Sequence, residues 1–350
     1  MELQVNIATA WQGVVVRAFW LNRVLLGLAV LHFLAAFAVS RFLGQPFYSA
    51  MVPLLLTLFK SMVPVFILML GIGRLTWIAT VIRPAYPLRR LFTDIKSILL
   101  DAERLLSGII ALVIIGFVVG TASFLKDMIP LIRPFSWDPA FAQLDRVLHG
   151  GQDVWRLLAP VLATPFVTSA LNAAYHAWLP ILYFLVFIAA FGRTDAPGHR
   201  MFLLSMVMAW IVAANLLATT FSSVGPVYYA AFGFGDTFKQ QMQMLHSLNE
   251  ISPVWALRVQ DMLLDGYQTG GSVRGISAMP SMHVTTATLM AFYGFTLSRP
   301  VGWALTAFAV TIFLGSVHLA WHYAVDGYLA IALAAIFWRL SRRLVIRDTA

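Results

Sequence analysis

Long apolar runs separated by short polar stretches dominate this chain. The runs Val24–Ser40, Tyr48–Ile72, Leu105–Leu125, Leu171–Phe191, Met201–Phe221, Val284–Leu297, Val301–Ala320 and Tyr323–Leu340 each approach the length of a membrane crossing, about 20 residues for a helix. Leu105–Leu125 and Met201–Phe221 hold no charged residue. Lipid cannot satisfy bare backbone groups, so such runs form helices or barrel strands. Barrel strands alternate polar and apolar residues, and these runs do not. The pattern predicts an all-α fold, a polytopic membrane helix bundle of about eight transmembrane helices. The run at Val284 is expected to begin a turn earlier. The second run carries Lys60, Pro53 and Pro64 and is expected to kink. Residues 1–20 are expected to lie on the membrane as an amphipathic leader.

Two polar loops, Lys126–Ala170 and Ser222–Pro280, are expected to face outward and to hold interfacial helices. Within the second, Pro253–Asp265 has apolar residues at helical spacing. Trp137 and Trp155 suit membrane-interface anchors in the first.

Composition agrees. Hydrophobic residues make up 60% of the 350 positions and charged ones 11%, against roughly half and a quarter in soluble domains. There is no cysteine, which excludes disulfides, thiolate metal sites and cysteine nucleophiles. The net charge is +9. Because the basic residues fall between apolar runs, they report topology, and no nucleic-acid partner is expected. Arg17, Arg23, the cluster from Arg74 to Arg104, Arg193, Arg200, Arg299 and the arginines from Arg339 to Arg347 share one side. Lys and Arg are retained on the cytoplasmic side, so both termini are expected there. A cleaved signal peptide would start basic and have a shorter core, so the first helix is expected to stay. The expected setting is a bacterial inner membrane. The chain reads as one domain over 1–350, with a catalytic core at 201–340 and additional N-terminal spans and an outer loop at 1–200.

Two strings carry chemistry. In His322-Tyr323-Ala324-Val325-Asp326, a helical spacing of four brings His322 and Asp326 to one face. The carboxylate then fixes the ring tautomer and leaves the other nitrogen to attack. Within a membrane span, ionisable residues default to function. In Pro280-Ser281-Met282-His283, Pro and Ser suit a helix start. Its free N–H groups suit a phosphate, and His283 would stand beside it to protonate a leaving oxygen.

These strings resemble the second and third signatures of the type-2 phosphatidic acid phosphatase superfamily. That resemblance implies a proton donor at His283, a nucleophile at His322, an orienting Asp326 and no metal or cofactor. Met282 stands where the family usually has Gly, and Gly315 and Ser316 stand where it has Ser and Arg. The string from Arg274 to Val284 looks more like the inositol phosphorylceramide synthase branch, which moves a phospho-headgroup between lipids. The resemblance covers Met201–Leu340.

The family's first signature, K-x6-R-P, is matched by Lys126, Arg133 and Pro134. Two further spans separate that match from His283, whereas in the family it ends the preceding span. The segment Ser222–Tyr229 is the topological equivalent, so two segments compete for one role. A phosphoryl transition state spreads charge over three oxygens that need cations or dipoles. With the third-signature Arg missing, Arg274 is the first candidate to replace it. Ser281, Lys126, Arg133, Tyr228 and Tyr229 complete the expected substrate-binding set. Asp138, Asp145 and His149 are expected to belong to a solvated loop helix. His318 lies one turn before His322 and is read as structural.

The function these readings imply is a membrane phosphotransferase using a phospho-histidine at the outer face. Its partners would be a phospholipid or lipid phosphate donor and a lipid or water acceptor. Hydrolysis of a lipid phosphate is the alternative. A transporter would show broken half-helices in repeat, and neither is visible. A non-catalytic scaffold would be free to lose one of His283, His322 and Asp326.

Overall fold

The computed structural model describes residues 2–271 and 275–347, with side chains from residue 11 onward. All regular structure among the described residues is helical. The helices are α1 (Glu2–Leu43), α2 (Met51–Ile82), α3 (Pro87–Leu99), α4 (Ala102–Ile132), α5 (Asp138–Leu148), α6 (Val154–Leu162), α7 (Pro165–Ala190), α8 (Pro197–Thr220), α9 (Lys239–Ile251), α10 (Trp255–Thr269), α11 (Met282–Leu297), α12 (Arg299–His318) and α13 (Ala324–Arg347). Six of them, α1, α2, α4, α7, α8 and α12, are long and apolar enough to cross a membrane. The other two expected spans correspond to α11, of 16 residues, and α13, whose second half carries Arg339, Arg342, Arg343 and Arg347. The chain is a polytopic helical membrane protein.

Two local expectations need correction or refinement. No separate leader exists over residues 2–20, because α1 runs unbroken from Glu2 to Leu43. That stretch contains no proline to stop it. In α2 the helix widens to π geometry over Leu58–Met62, just before Pro64. Proline lacks the N–H its turn needs and clashes with the carbonyl four residues back, so a π turn takes up the mismatch.

The principal core links both halves of the chain. It runs from Leu25 and Ala29 of α1 through Ile115 of α4, Leu182 of α7 and Phe202 and Met206 of α8 to Leu289 of α11 and Phe337 of α13. Buried polar groups pin the helices in register. Asn22 of α1 donates to the Ser107 hydroxyl of α4 at 2.9 Å. His32 of α1 meets the Asn215 carbonyl oxygen at 2.9 Å, and the Asn215 amide donates to Ala122 of α4 at 3.1 Å. Asn215 lies in a π-helical stretch of α8, Ala209–Leu217.

At one end of the bundle, the ends of α4, α8 and α12 meet the starts of α7, α11 and α13. The loop helices α5, α6, α9 and α10 cover this end. Gln260 of α10 donates to the Leu319 carbonyl and Gln241 of α9 to the Val317 carbonyl, both at 2.8 Å. Asn172 of α7 accepts from the Ala256 N–H of α10 at 3.0 Å. The expected surface helix at Pro253–Asp265 is α10, bonded into this layer.

Two carboxylates of α5 tie the cover to the bundle. Asp138 is fully buried. It accepts from the N–H groups of Val224, at 2.9 Å, and Gly225, at 2.8 Å, and from the Tyr323 hydroxyl at 2.8 Å. Asp145 accepts from the N–H groups of Ala324 and Val325, each at 2.8 Å, and so caps α13 from another helix. Burial pushes both carboxyl groups above the usual carboxylate range, and these donors oppose the rise. The solvated loop helix expected at Asp138 and Asp145 is therefore corrected. Its polar face is turned inward because helix starts bring unpaired N–H groups there. His149, half-buried at the end of α5, bonds the Asp145 carbonyl of its own helix at 2.6 Å and the exposed Tyr328 hydroxyl of α13 at 2.8 Å.

Removing the Asp145 acceptors (Asp145→Ala) is expected to cost about 1–2 kcal/mol, the usual size of a lost helix cap. Asp138→Ala, which strands three donors, should cost more. Thermal unfolding of the purified protein in detergent checks both. Asp145→Asn, which keeps one acceptor, should fall between wild type and Asp145→Ala.

Candidate active site

The turn between α12 and α13 sets the first half of the site. It begins as α12 ends at His318, and Ala320 adopts a positive φ of 61°. The N–H groups of Trp321 and His322 both point back to the Ser316 carbonyl, at 3.0 and 3.1 Å. The segment after α8 clamps this turn. Val227 donates to the Ala320 carbonyl at 2.9 Å. At Gly225 the φ is 90°, and a Cβ there would lie 2.5 Å from the Trp321 carbonyl oxygen, so only glycine fits.

His322 precedes α13 and lies outside it. Its Nδ1–H donates to Asp326 Oδ2 at 3.2 Å, and the Tyr323 N–H donates to the same oxygen at 3.1 Å. The expected contact is therefore made by a turn entering the helix, where the spacing had suggested one helical face. Asp326 is fully buried and His322 is 6% exposed. The second Asp326 oxygen, Oδ1, is buried with no hydrogen-bond partner among the described residues.

The second half is the start of α11. Ser281 caps it, accepting from the Val284 N–H at 3.4 Å, and its own N–H donates to the Asp326 carbonyl at 3.4 Å. The expected helix start is matched, and Ser281 is fully buried in the capping role. One residue into the helix comes His283. Its ring stacks on Tyr175 of α7 with centroids 4.3 Å apart and touches Trp178 at 4.1 Å. Trp178 is held by a bond from its Nε1–H to the Thr286 hydroxyl at 2.8 Å. The centroids of His283 and His322 are 6.2 Å apart. Such a gap lets one phosphoryl group face a nucleophilic ring on one side and a proton donor on the other.

The other expected residues divide. Lys126 is within electrostatic reach of His283, and its stem lies beside Gly275. Arg133 ends α4 at the exposed rim. Its backbone carbonyl accepts from the Ser222 hydroxyl at 2.9 Å, and its guanidinium lies 5.9 Å from the Trp137 ring. The two segments that compete for the first signature thus abut at one corner. Tyr228 is buried and its hydroxyl donates to the Gln260 carbonyl at 2.9 Å. Tyr229 is buried among Phe234, Phe238 and other aromatic rings. Arg274 lies outside the described residues. His318 bonds the Thr168 hydroxyl at 2.9 Å.

Sequence reasoning missed Tyr175, Trp178, Asp138 and Tyr323. A signal for the first existed. Thr168, Asn172 and Tyr175 recur at spacings of four and three in a mostly apolar helix and are buried on one face.

A family model described as the PAP2 superfamily matches residues 139–340. The match begins in α5, upstream of Met201, and it includes Asp145 together with both histidine strings. No curated protein and no solved structure matches the chain. The family match covers more than half of the sequence and takes in His283, His322 and Asp326, and on that ground the chain belongs to the PAP2 superfamily, whose members support phosphatase-type chemistry on lipid-type phosphates.

Proposed function

We propose that the chain is a membrane lipid phosphotransferase working through a phospho-histidine. The observation that carries this reading is the pairing of His283 with His322 at 6.2 Å, with Asp326 on the far nitrogen of His322. In the first step Nε2 of His322 attacks phosphorus and forms a P–N bond. The bond from phosphorus to the donor's oxygen breaks, and His283 passes a proton to that oxygen. In the second step His283 takes the proton of an acceptor hydroxyl. The acceptor oxygen bonds phosphorus, the P–N bond breaks, and His322 is restored. Asp326 holds Nδ1–H throughout and offsets the positive charge that develops on the ring.

The low exposure of His322 and Asp326 favours a lipid hydroxyl over bulk water as acceptor. Transfer of a phospho-headgroup between lipids, as in the inositol phosphorylceramide synthase branch, follows on this reading. Hydrolysis of a lipid phosphate is the second reading. Membership of the superfamily supports it, and water needs the same base. Lys126, with Arg133 at the rim, supplies positive charge to the phosphate. Ser281 contributes by ordering the N-terminus of α11. Both termini are cytoplasmic, and the covered end of the bundle faces outward.

With purified protein and a panel of radiolabelled phospholipids and lipid phosphates, acid-labile label should appear on the protein and chase into lipid. His322→Ala should abolish the label and lower turnover at least about a thousandfold, as loss of a nucleophile does. Label that survives in His322→Ala would refute the assignment. Asp326→Asn should cost on the order of 10²–10⁴ by favouring the wrong tautomer. Release of free phosphate with no lipid product would select hydrolysis.

The chain has no native cysteine, so single cysteines report topology directly. Gln152→Cys, in the exposed turn after α5, should react with a membrane-impermeant maleimide on intact cells. Ser97→Cys, exposed in α3, should react only after lysis. The reverse pattern would invert the proposed orientation.

A further inference from the structure

The Tyr175 side chain is 5% exposed, and its hydroxyl is buried without a hydrogen-bond partner among the described residues. Native interiors rarely leave such a group unmatched, and an unmatched donor beside a reaction centre points to a ligand. Three contacts fix where the ring lies. It stacks on His283 at 4.3 Å, with planes 20° apart. It stacks on Trp321, the residue before His322, at 6.3 Å and 8°. It also flanks α12 at Gly315, where an added Cβ would lie 3.6 Å from Tyr175 Cδ2. The hydroxyl is within electrostatic reach of Asp326. Tyr175 therefore bridges the two histidine strings from a helix that belongs to neither.

Gly315 and Ser316 occupy the positions where the third signature has Ser and Arg. Ser316 is fully buried and its hydroxyl donates to the Phe313 carbonyl at 2.7 Å, so it offers nothing to a substrate. We propose that the Tyr175 hydroxyl is a catalytic hydrogen-bond donor to the phosphoryl oxygens, supplying from α7 part of the stabilisation that the missing arginine would give from α12. The inference rests on the phosphotransfer reading above and goes beyond it by adding a residue outside both signatures.

The chemistry requires no proton from Tyr175, which stays protonated in both steps. As His322 attacks, negative charge develops on the equatorial oxygens. A donor fixed by stacking, in a site shielded from water, strengthens with that charge and costs no reorganisation. Trp321 Nε1–H is a second buried donor without a partner among the described residues, and its ring is nearly parallel to that of Tyr175.

Orthovanadate, a mimic of the phosphoryl transition state, tests this without knowledge of the lipid. Its affinity is to be measured by calorimetry on the full-length protein in detergent, for wild type, His322→Ala, Tyr175→Phe and Tyr175→Leu. Tyr175→Phe keeps the stack and deletes only the hydroxyl. It should weaken binding about tenfold or more, in line with the effect of one oxyanion donor, and Tyr175→Leu should be no better. With a lipid substrate, kcat should fall by a similar factor with KM little changed. Wild-type affinity in Tyr175→Phe together with weakened binding in Tyr175→Leu would mean the ring acts only by packing, which overturns the inference and leaves the phosphotransfer reading intact. Absence of binding by wild type, or undiminished binding by His322→Ala, would overturn that reading and this inference with it. Should Tyr175→Phe unfold, Trp321→Phe provides the same comparison for the second donor of the set, and wild-type affinity there would count against it.

Discussion

A carboxylate removed from water must be met by donors, or its burial costs several kcal/mol. The architecture of this membrane protein follows from how three such groups are met. Asp326 takes the His322 ring and the Tyr323 N–H. Asp145 takes the first N–H groups of α13. Asp138 joins Val224 and Gly225 to the Tyr323 hydroxyl. For Asp145 and Asp138 the acceptor is supplied by one segment and the donors by others, so these two carboxylates act as joints between helices that lipid alone would not hold in a single register.

This arrangement explains why a loop helix outside the spans is part of the site's frame. The family match begins at residue 139, within α5, and takes in Asp145. Without Asp145, α13 would begin with unpaired N–H groups beside His322. Without Asp138, the Gly225 turn would lose its anchor and with it the clamp on Ala320 and Trp321. The aromatic layer of Phe141, Trp155, Tyr229, Phe238 and Tyr323 packs around these bonds and keeps them dry.

Much of the fold was legible because membrane helices announce themselves by length and uniformity. All eight apolar runs correspond to helices, and the widening of α2 arises at the proline that suggested a kink. The Asp326–His322 contact was legible from a spacing of four, although a turn makes it. What stayed hidden depends on contacts across large sequence separations. Asp138 and Asp145 look like ordinary loop acids until the segments 86 and 179 residues away are seen to need acceptors. Tyr175 looks like one more interfacial aromatic until His283 is stacked on it. The rivalry between Lys126–Arg133 and Ser222–Tyr229 arose from treating chain order as distance, and the Arg133 carbonyl meets the Ser222 hydroxyl.

The bond from the Ser281 N–H to the Asp326 carbonyl has one further implication. It links the cap of the His283 helix to the first turn of α13, the helix that follows His322, through the backbone. On the proposed phosphotransfer reading, the reacting geometry is then a standing feature of the resting protein, with its orientational entropy already lost during folding. On that reading, motion during turnover belongs to the substrates and not to the two histidine strings.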